Sequence, residues 1–387
     1  MTTIPGYRLF KRMSYVLMIG LMLNNLVGLS SSERIKIGNL SDTLMMNKTN
    51  FNMSSRQMNT ESLARDIFLN LRQIIFWSIL VIGIFGVIGN ILIILVCIRL
   101  GFSETIHASY LALAVSDLLS VLSVIWLAIC NTPLINLLLN QLLIVTDLSP
   151  FTQLTSARPH LAFSRTTALI TAWISMERCL CVVFPMKVKF MITYTVNAVV
   201  LVMIFIIGCG PAMNSYITVR SELREDPLKN ETRLFFFVSG NDHPLNVSAY
   251  FFYYVAFPVF SWVVVIVNTT VLIIKLKQSA NWRKQHLNFP TASAAQRTTS
   301  VRTNRVTKTA VVVASIFIVC SLPISLTFFA WSFLPEFYRK VQFRDLFLLN
   351  SSLVFLLSEV NSSVNIIVFT LMWTRFRSAL LHVMCRK

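Results

Sequence analysis

Runs of apolar residues long enough to cross a bilayer recur seven times along the chain. They span Ile74–Ile98, Ile106–Cys130, Ala157–Phe184, Phe190–Met213, Tyr250–Leu276, Thr309–Leu334 and Leu346–Trp373. A helix needs about 20 such residues to traverse the hydrocarbon layer. None of the runs shows the strict alternation of a membrane β-strand, whose spans are also about half as long. The pattern therefore predicts an all-α membrane protein: a seven-transmembrane helix bundle over residues 73–373. A short amphipathic helix and tail follow at 374–387. Two further apolar stretches fall outside this frame. Met13–Leu29 follows Arg8, Lys11 and Arg12 and ends at Gly28-Leu29-Ser30. A basic start, a short apolar middle and a small-residue exit predict a signal peptide over residues 1–30, with an uncleaved signal anchor as the alternative. Leu134–Val145 is too short to span and reads as an interfacial or pocket-capping segment.

Composition agrees with the pattern. Of 387 residues, 55% are apolar and 13% charged, against roughly 25% charged in soluble domains. The net charge of +18 invites comparison with nucleic-acid binders, but the placement of the charges argues otherwise. Lys275, Lys277, Arg283, Lys284, Arg297, Arg302, Arg305 and Lys308 gather between the fifth and sixth runs without one acid. The tail holds Arg375, Arg377, Arg386 and Lys387, again without an acid. The long link after the fourth run mixes both signs. Basic flanks stay cytoplasmic, so the amino terminus is expected outside and the carboxyl terminus inside, at a plasma membrane. Sequons at Asn39, Asn47, Asn52, Asn230 and Asn246 all fall on the side expected to be external. Residues 31–72 then form an external, glycosylated segment.

Ionisable groups inside spans are costly and face the bundle interior. Asp117 lies in the middle of the second run. In the third, His160, Ser164, Thr167, Thr171, Ser175 and Arg178 fall on one line at 100° per residue, with Arg165 off that line. The seventh run carries Glu359, Asn361, Ser362 and Asn365. Asp117, Thr167, Asn361, Ser362 and Asn365 together would supply a carboxylate, hydroxyls and amide carbonyls, hard ligands suited to a hard cation and unsuited to zinc or copper. Intramembrane Asp117, Arg165 and Glu359 would also suit a transporter or channel, but no internal repeat or paired broken helices support that. No nucleophile motif, metal spacing or phosphate loop marks an enzyme.

The residues also resemble a known family. Gly89-Asn90, Leu113-Ala114-Val115-Ser116-Asp117, Glu177-Arg178-Cys179 with Pro185, Pro258, Phe317-x-x-Cys320-Ser321-Leu322-Pro323, Asn365-Ile366-Ile367-Val368-Phe369 and Phe376-Arg377 stand in the order and helices of the rhodopsin-like (class A) G-protein-coupled receptors. The run Met176–Pro185 is similar to a divergent invertebrate set of molluscan orphan, chemosensory and peptide-receptor-like members. The resemblance implies that an extracellular peptide or small chemosensory ligand activates a heterotrimeric G protein. Glu177, Arg178, Asn365 and Phe369 would form the G-protein switch. Asp117, Thr167, Asn361, Ser362 and Asn365 would bind sodium, the one ion implied in a protein with no cofactor. Phe317, Cys320 and Pro323 would form the activation hinge. His160, Ser164, Arg165 and Glu359 are the expected ligand pocket, with Glu359 either meeting ligand or pairing with Arg165 or His160. Cys385 stands where palmitoylation occurs.

The departures are as informative. Ser321 replaces the family's tryptophan, Ile366 its proline and Phe369 its tyrosine. Thr303 replaces an acid that often holds the arginine, and the fourth helix lacks its tryptophan. Gln153 stands where a cysteine usually ties the third helix to a cysteine-bearing loop, and the loop Asn214–Ala249 has no cysteine. Cys130 and Cys209 both lie near the outer face, and whether they pair is a question of geometry.

Overall fold

The computed structural model describes residues 42–101, 104–133, 151–185, 187–217, 219–226, 231–238, 251–285, 294–333 and 344–384. The signal-peptide segment, Leu134–Val145, the sequons at Asn39, Asn230 and Asn246, and Cys385 lie outside the described residues. Helix α1 runs over Asp42–Leu100 and α2 over Thr105–Asn131. A π-helical turn at Gln153–Ala157 leads into α3, Arg158–Val183. A single turn at Val188–Met191 precedes α4, Tyr194–Ile217. Strands β1 (Val219–Asp226) and β2 (Glu231–Val238) come next. A second π-helical turn, Phe252–Ala256, opens α5, Phe257–Gln285, and α6 covers Ala294–Phe333. The seventh span is two pieces, α7 (Arg344–Ser363) and α8 (Asn365–Met372), followed by α9, Thr374–Met384. Among the described residues, seven helices are long and apolar enough to cross a membrane.

Two differences from the sequence expectation have physical causes. First, α1 begins at Asp42, some thirty residues before its apolar run, and absorbs most of the segment expected to precede the bundle. No Gly or Pro interrupts the chain from Asp42 to Ile82, so nothing breaks a polar helix there. Hydropathy sees only the part that spans. Asn47 and Asn52 fall on this extension, their side chains outside the described ones. Second, the mixed-charge link contains an antiparallel hairpin. Its register sets Arg224 opposite Arg233 and Asp226 opposite Glu231, like charges that oppose pairing, which is why charge pattern does not reveal it. The seventh span is barely interrupted, with Val364 N–H still donating to the Val360 carbonyl at 3.1 Å. Val364 alone separates α7 from α8 and keeps helical dihedrals of −78° and −16°, as expected with isoleucine instead of proline at 366.

Helix α3 is the axis of the bundle and touches α2, α4, α5 and α6, while α1 packs between α2 and α7. Side chains such as Val81 and Phe260, 70% and 58% exposed, point outward, as lipid-facing positions do. Cys130 and Cys209 are both free thiols, and no disulfide forms among the described residues.

The contact of α1 with the seventh span depends on three glycines at every third position. A Cβ on Gly83 would stand 2.7 Å from Glu359 Oε1, one on Gly86 2.2 Å from Ser363 Oγ and one on Gly89 2.8 Å from Ile366 Cγ2. Backbones this close have room for no side chain. Gly86→Leu is expected to destabilise by about 1–3 kcal/mol through overpacking, seen as a lower thermal midpoint and reduced surface expression. Gly210→Ala is the control, because a Cβ there meets nothing within 4 Å. Equal losses at both positions would disprove the seam as the cause.

Candidate functional site

At the carboxyl-terminal end of α3 the sequence places an acid and a base side by side, and the fold clamps the acid. Arg178 Nη2 donates to Glu177 Oε1 at 2.6 Å, with the two side chains 11% and 0% exposed. Glu177 in turn accepts from the hydroxyl of Thr105 and from Ser109 Oγ at 3.1 Å, both on α2. The same patch includes Asn197 on α4. Its amide donates to the Thr105 carbonyl at 3.0 Å, and its oxygen accepts from Trp173 Nε1 at 2.6 Å. A carboxylate with charged and neutral donors around it is strongly held. Arg178 is therefore tethered through Glu177 to α2, and through Thr105 and Ser109 of α2 to Asn197 on α4. The fourth helix lacks its tryptophan, but Trp173 on α3 supplies an indole N–H from the other side.

Beside this clamp lies an aromatic stack. Tyr110 on α2 packs against Phe369 on α8 with centroids 4.6 Å apart. Trp373 continues the stack onto Phe376 of α9 at 5.7 Å. Phe369 and Phe376 are both fully buried. The missing tyrosine hydroxyl at 369 leaves an edge and face that dispersion and ring quadrupoles hold. On the rim, Arg375 Nη1 reaches Glu104 Oε1 at 3.5 Å, an exposed pair of little energetic weight.

Midway along the bundle Asp117 is fully buried. Thr167 Oγ1 donates to its Oδ1 at 2.9 Å, and Asn365 Nδ2 donates to its Oδ2 at 2.8 Å. The Ser362 hydroxyl supplies a third bond. Ser116 and Thr167 hydroxyls lie 3.0 Å apart. Asn90 on α1 donates to the Ser362 carbonyl at 3.0 Å, while its own buried Oδ1 accepts nothing. Four of the five expected residues thus converge. Asn361 does not join them: it is half-buried and makes no hydrogen bond to Asp117.

The α3 line is interior, as its period predicts, although not all of it is chemically free. Thr171 and Ser175 hydroxyls donate to the carbonyls of Thr167 and Ala172, satisfying their own helix. His160 Nδ1 lies 3.0 Å from Ser120 Oγ, with its ring edge on Phe355. Ser164 is half-buried one turn below. Arg165 is buried, in the electrostatic neighbourhood of Tyr253 and Tyr254 on the π-helical turn before α5. Glu359 is brought to neither His160 nor Arg165. It is 1% exposed, wedged between Gly83 and Ile125, and its Oε1 has no hydrogen-bond partner among the described residues. A buried cluster including Phe76, Ile79, Val124 and Ala128 lies between α1 and α2, with Phe355 and Leu356 of α7 packed on it. Sequence spacing gave depth along α7 but not the direction in which residue 359 faces.

In α6, Phe317 and Cys320 are buried at 6% and 8% exposure, and Pro323 lies inside the helix. Phe317 packs on Ala168 and Ala172 of α3 and Val265 of α5. Thr303 is on the same helix, its side chain outside the described ones. Thr105, Ser109, Tyr110, Trp173 and Asn197 were not singled out from sequence. The available signal was a lone amide, Asn197, in an otherwise apolar run, and a Thr–Ser pair four residues apart at the start of α2.

The family model described as 7 transmembrane receptor (rhodopsin family) matches residues 89–369. No curated protein matches the chain.

Proposed function

Because the chain belongs to the rhodopsin family of seven-transmembrane receptors, it is a multi-pass membrane protein and a G-protein-coupled receptor, and we propose how its own residues carry the signal. The amino terminus faces outside, and the Arg178 end with its acid-free basic links faces the cytoplasm of the plasma membrane. The observation that carries this reading is the tether of Arg178 through Glu177 to α2 and α4. Signalling is a population shift: a ligand favouring the open bundle moves the equilibrium tenfold for each 1.4 kcal/mol of differential affinity. Opening at Pro323 carries the inner part of α6 outward, and Arg178 leaves Glu177 for the G protein. Phe369 leaves Tyr110 in the same movement.

The outer half of α3 supplies the ligand pocket, with His160, Ser164 and Arg165 recognising a peptide or small chemosensory molecule. Glu359 faces α1 and α2, so it belongs to the interior. Replacing an unpaired buried carboxylate by an apolar residue of similar size is neutral or stabilising. Glu359→Leu is accordingly expected to keep surface expression and to leave ligand potency within about threefold, a change under 1 kcal/mol. A tenfold loss of potency at normal expression would return Glu359 to the pocket.

The residues around Asp117 fit a small hard cation. They offer a carboxylate, two hydroxyls and an amide, and Asn90 Oδ1, one residue contact away through Ser362, is a buried acceptor without a donor. Asp117, Thr167, Ser362 and Asn365 would hold sodium, with Asn361 supplying its carbonyl after a rotamer change. The ion, when bound, neutralises the carboxylate. The protein's own bonds from Thr167 and Asn365 already join α2, α3 and α8 in the same arrangement. Asn39, Asn47, Asn52, Asn230 and Asn246 are the expected glycosylation sites, and Cys385 the expected palmitoylation site. A transporter or channel is not favoured: the chain belongs to a receptor family, and Glu359 is enclosed against α1 and α2. A ligand screen in cells reporting both calcium and cyclic nucleotides tests the reading, with Arg178→Ala as the control that must be silent.

A further inference from the structure

Where its family carries a tryptophan two residues before the sixth-helix proline, this chain has Ser321, and the indole comes instead from the neighbouring helix. Trp262 on α5 donates its Nε1 proton to Ser321 Oγ at 3.0 Å. The ring is half-buried and packs on the cluster of Ala168, Ala172, Val265, Ala314 and Phe317. Two alanines on α3 leave the volume that the ring and Phe317 occupy. We infer that the Trp262–Ser321 hydrogen bond is this receptor's α5–α6 tie across the Pro323 hinge, and that Trp262 and Ser321 are positioning residues for its activation step.

The placement gives the bond its leverage. Pro323 has no N–H, so the carbonyl of Val319 loses its helical partner and the turn 319–323 is the weak point of α6. Ser321 lies inside that turn. A side-chain bond from α5 to this turn resists its rotation, and the bond is lost once donor and acceptor separate by about 0.5 Å or turn far from alignment. The alternative to the bond in a hydrocarbon setting is an unpaired N–H, and such interhelical bonds are measured at a net value equivalent to about threefold in an equilibrium constant. Among the described residues neither partner hydrogen-bonds to Arg178 or to the Asp117 cluster, so the tie acts through the hinge.

The test uses the full-length receptor in membranes with heterotrimeric G protein and no added ligand. Trp262→Phe removes the N–H and keeps most of the ring; Ser321→Ala removes the acceptor; Ser321→Thr keeps it. Two readouts are taken: Arg178-dependent GTPγS binding, and the rate at which N-ethylmaleimide alkylates Cys320, buried at 8% exposure next to Ser321, followed by mass spectrometry of its peptide. The expected result is a rise of about threefold in both for Trp262→Phe and Ser321→Ala. The double variant should rise no further, and Ser321→Thr should remain at the parent level. Unchanged rates in both single variants, or a double variant whose effects multiply, would overturn the tie. Lower expression with unchanged Cys320 alkylation would show packing without positioning, which also overturns it. If GTPγS binding is absent throughout, the alkylation rates still decide the tie, and the missing exchange counts against G-protein coupling instead.

Discussion

Glu177→Ala is expected to raise ligand-independent signalling by about tenfold or more per surface receptor. The effect follows from what the substitution leaves behind. Arg178 is 11% exposed and its only charge partner among the described residues is Glu177 at 2.6 Å; its Nε already lacks an acceptor. Removing one member of a buried pair costs about 3–5 kcal/mol because the other charge stays desolvated. That cost falls on the closed bundle, where Arg178 is enclosed, and is relieved where the guanidinium reaches water or a G protein. Even half of it exceeds the 1.4 kcal/mol of a tenfold shift. Glu177→Gln keeps an acceptor for Thr105 and Ser109 while discarding the charge, so it should fall between parent and alanine. Glu177→Ala with Arg178→Ala should be silent, since the residue that meets the G protein is gone. Basal GTPγS binding normalised to surface receptor reads all four. A basal level in Glu177→Ala equal to the parent would disprove the clamp as the closed-state restraint.

Asp117→Asn is expected to abolish the stabilisation that sodium gives the purified receptor. The comparison is the thermal midpoint in sodium chloride against choline chloride at equal ionic strength, choline being too large for a site enclosed by Thr167, Ser362 and Asn365. A ligand held at ten times its Kd stabilises by about 1.4 kcal/mol, which shifts the midpoint by a few degrees in a protein of this size. Asparagine keeps the shape and discards the charge, and it presents an amide N–H to Asn365, which now donates to Asp117 Oδ2 at 2.8 Å. The sodium difference should therefore vanish, while basal signalling shifts because α2 and α8 lose their charged bond. A sodium response preserved in Asp117→Asn would sink the cation site.

The Asp117 cluster and the Glu177 clamp differ in how much of each the residue pattern reveals. The Asp117 cluster follows from residue types and spacing: a carboxylate in one span, a threonine on the inward line of another, amides and a hydroxyl four apart in the last. Asn361, four residues before Asn365 along a nearly continuous helix, stands half-buried outside the bonds made to Asp117. The clamp on Glu177 was invisible, because Thr105, Ser109 and Asn197 are short polar residues whose functional meaning exists only once three helices meet. The same holds for Trp262, whose ring reads as one more apolar residue until Ser321 is placed 3.0 Å away.

Span number, helical class and the interior face of α3 were determined by sequence alone, since a backbone in hydrocarbon must satisfy its own hydrogen bonds and an ionisable group there must turn inward. Those constraints act along one chain segment at a time, so pattern suffices. Helix extension without hydrophobicity, as in α1 from Asp42, and the direction of Glu359 required tertiary structure. So did the Gly83–Gly86–Gly89 seam and the partners of Arg178 and Ser321. Each depends on how neighbouring helices rotate about their own axes, and rotation is set by close packing between surfaces far apart in the chain.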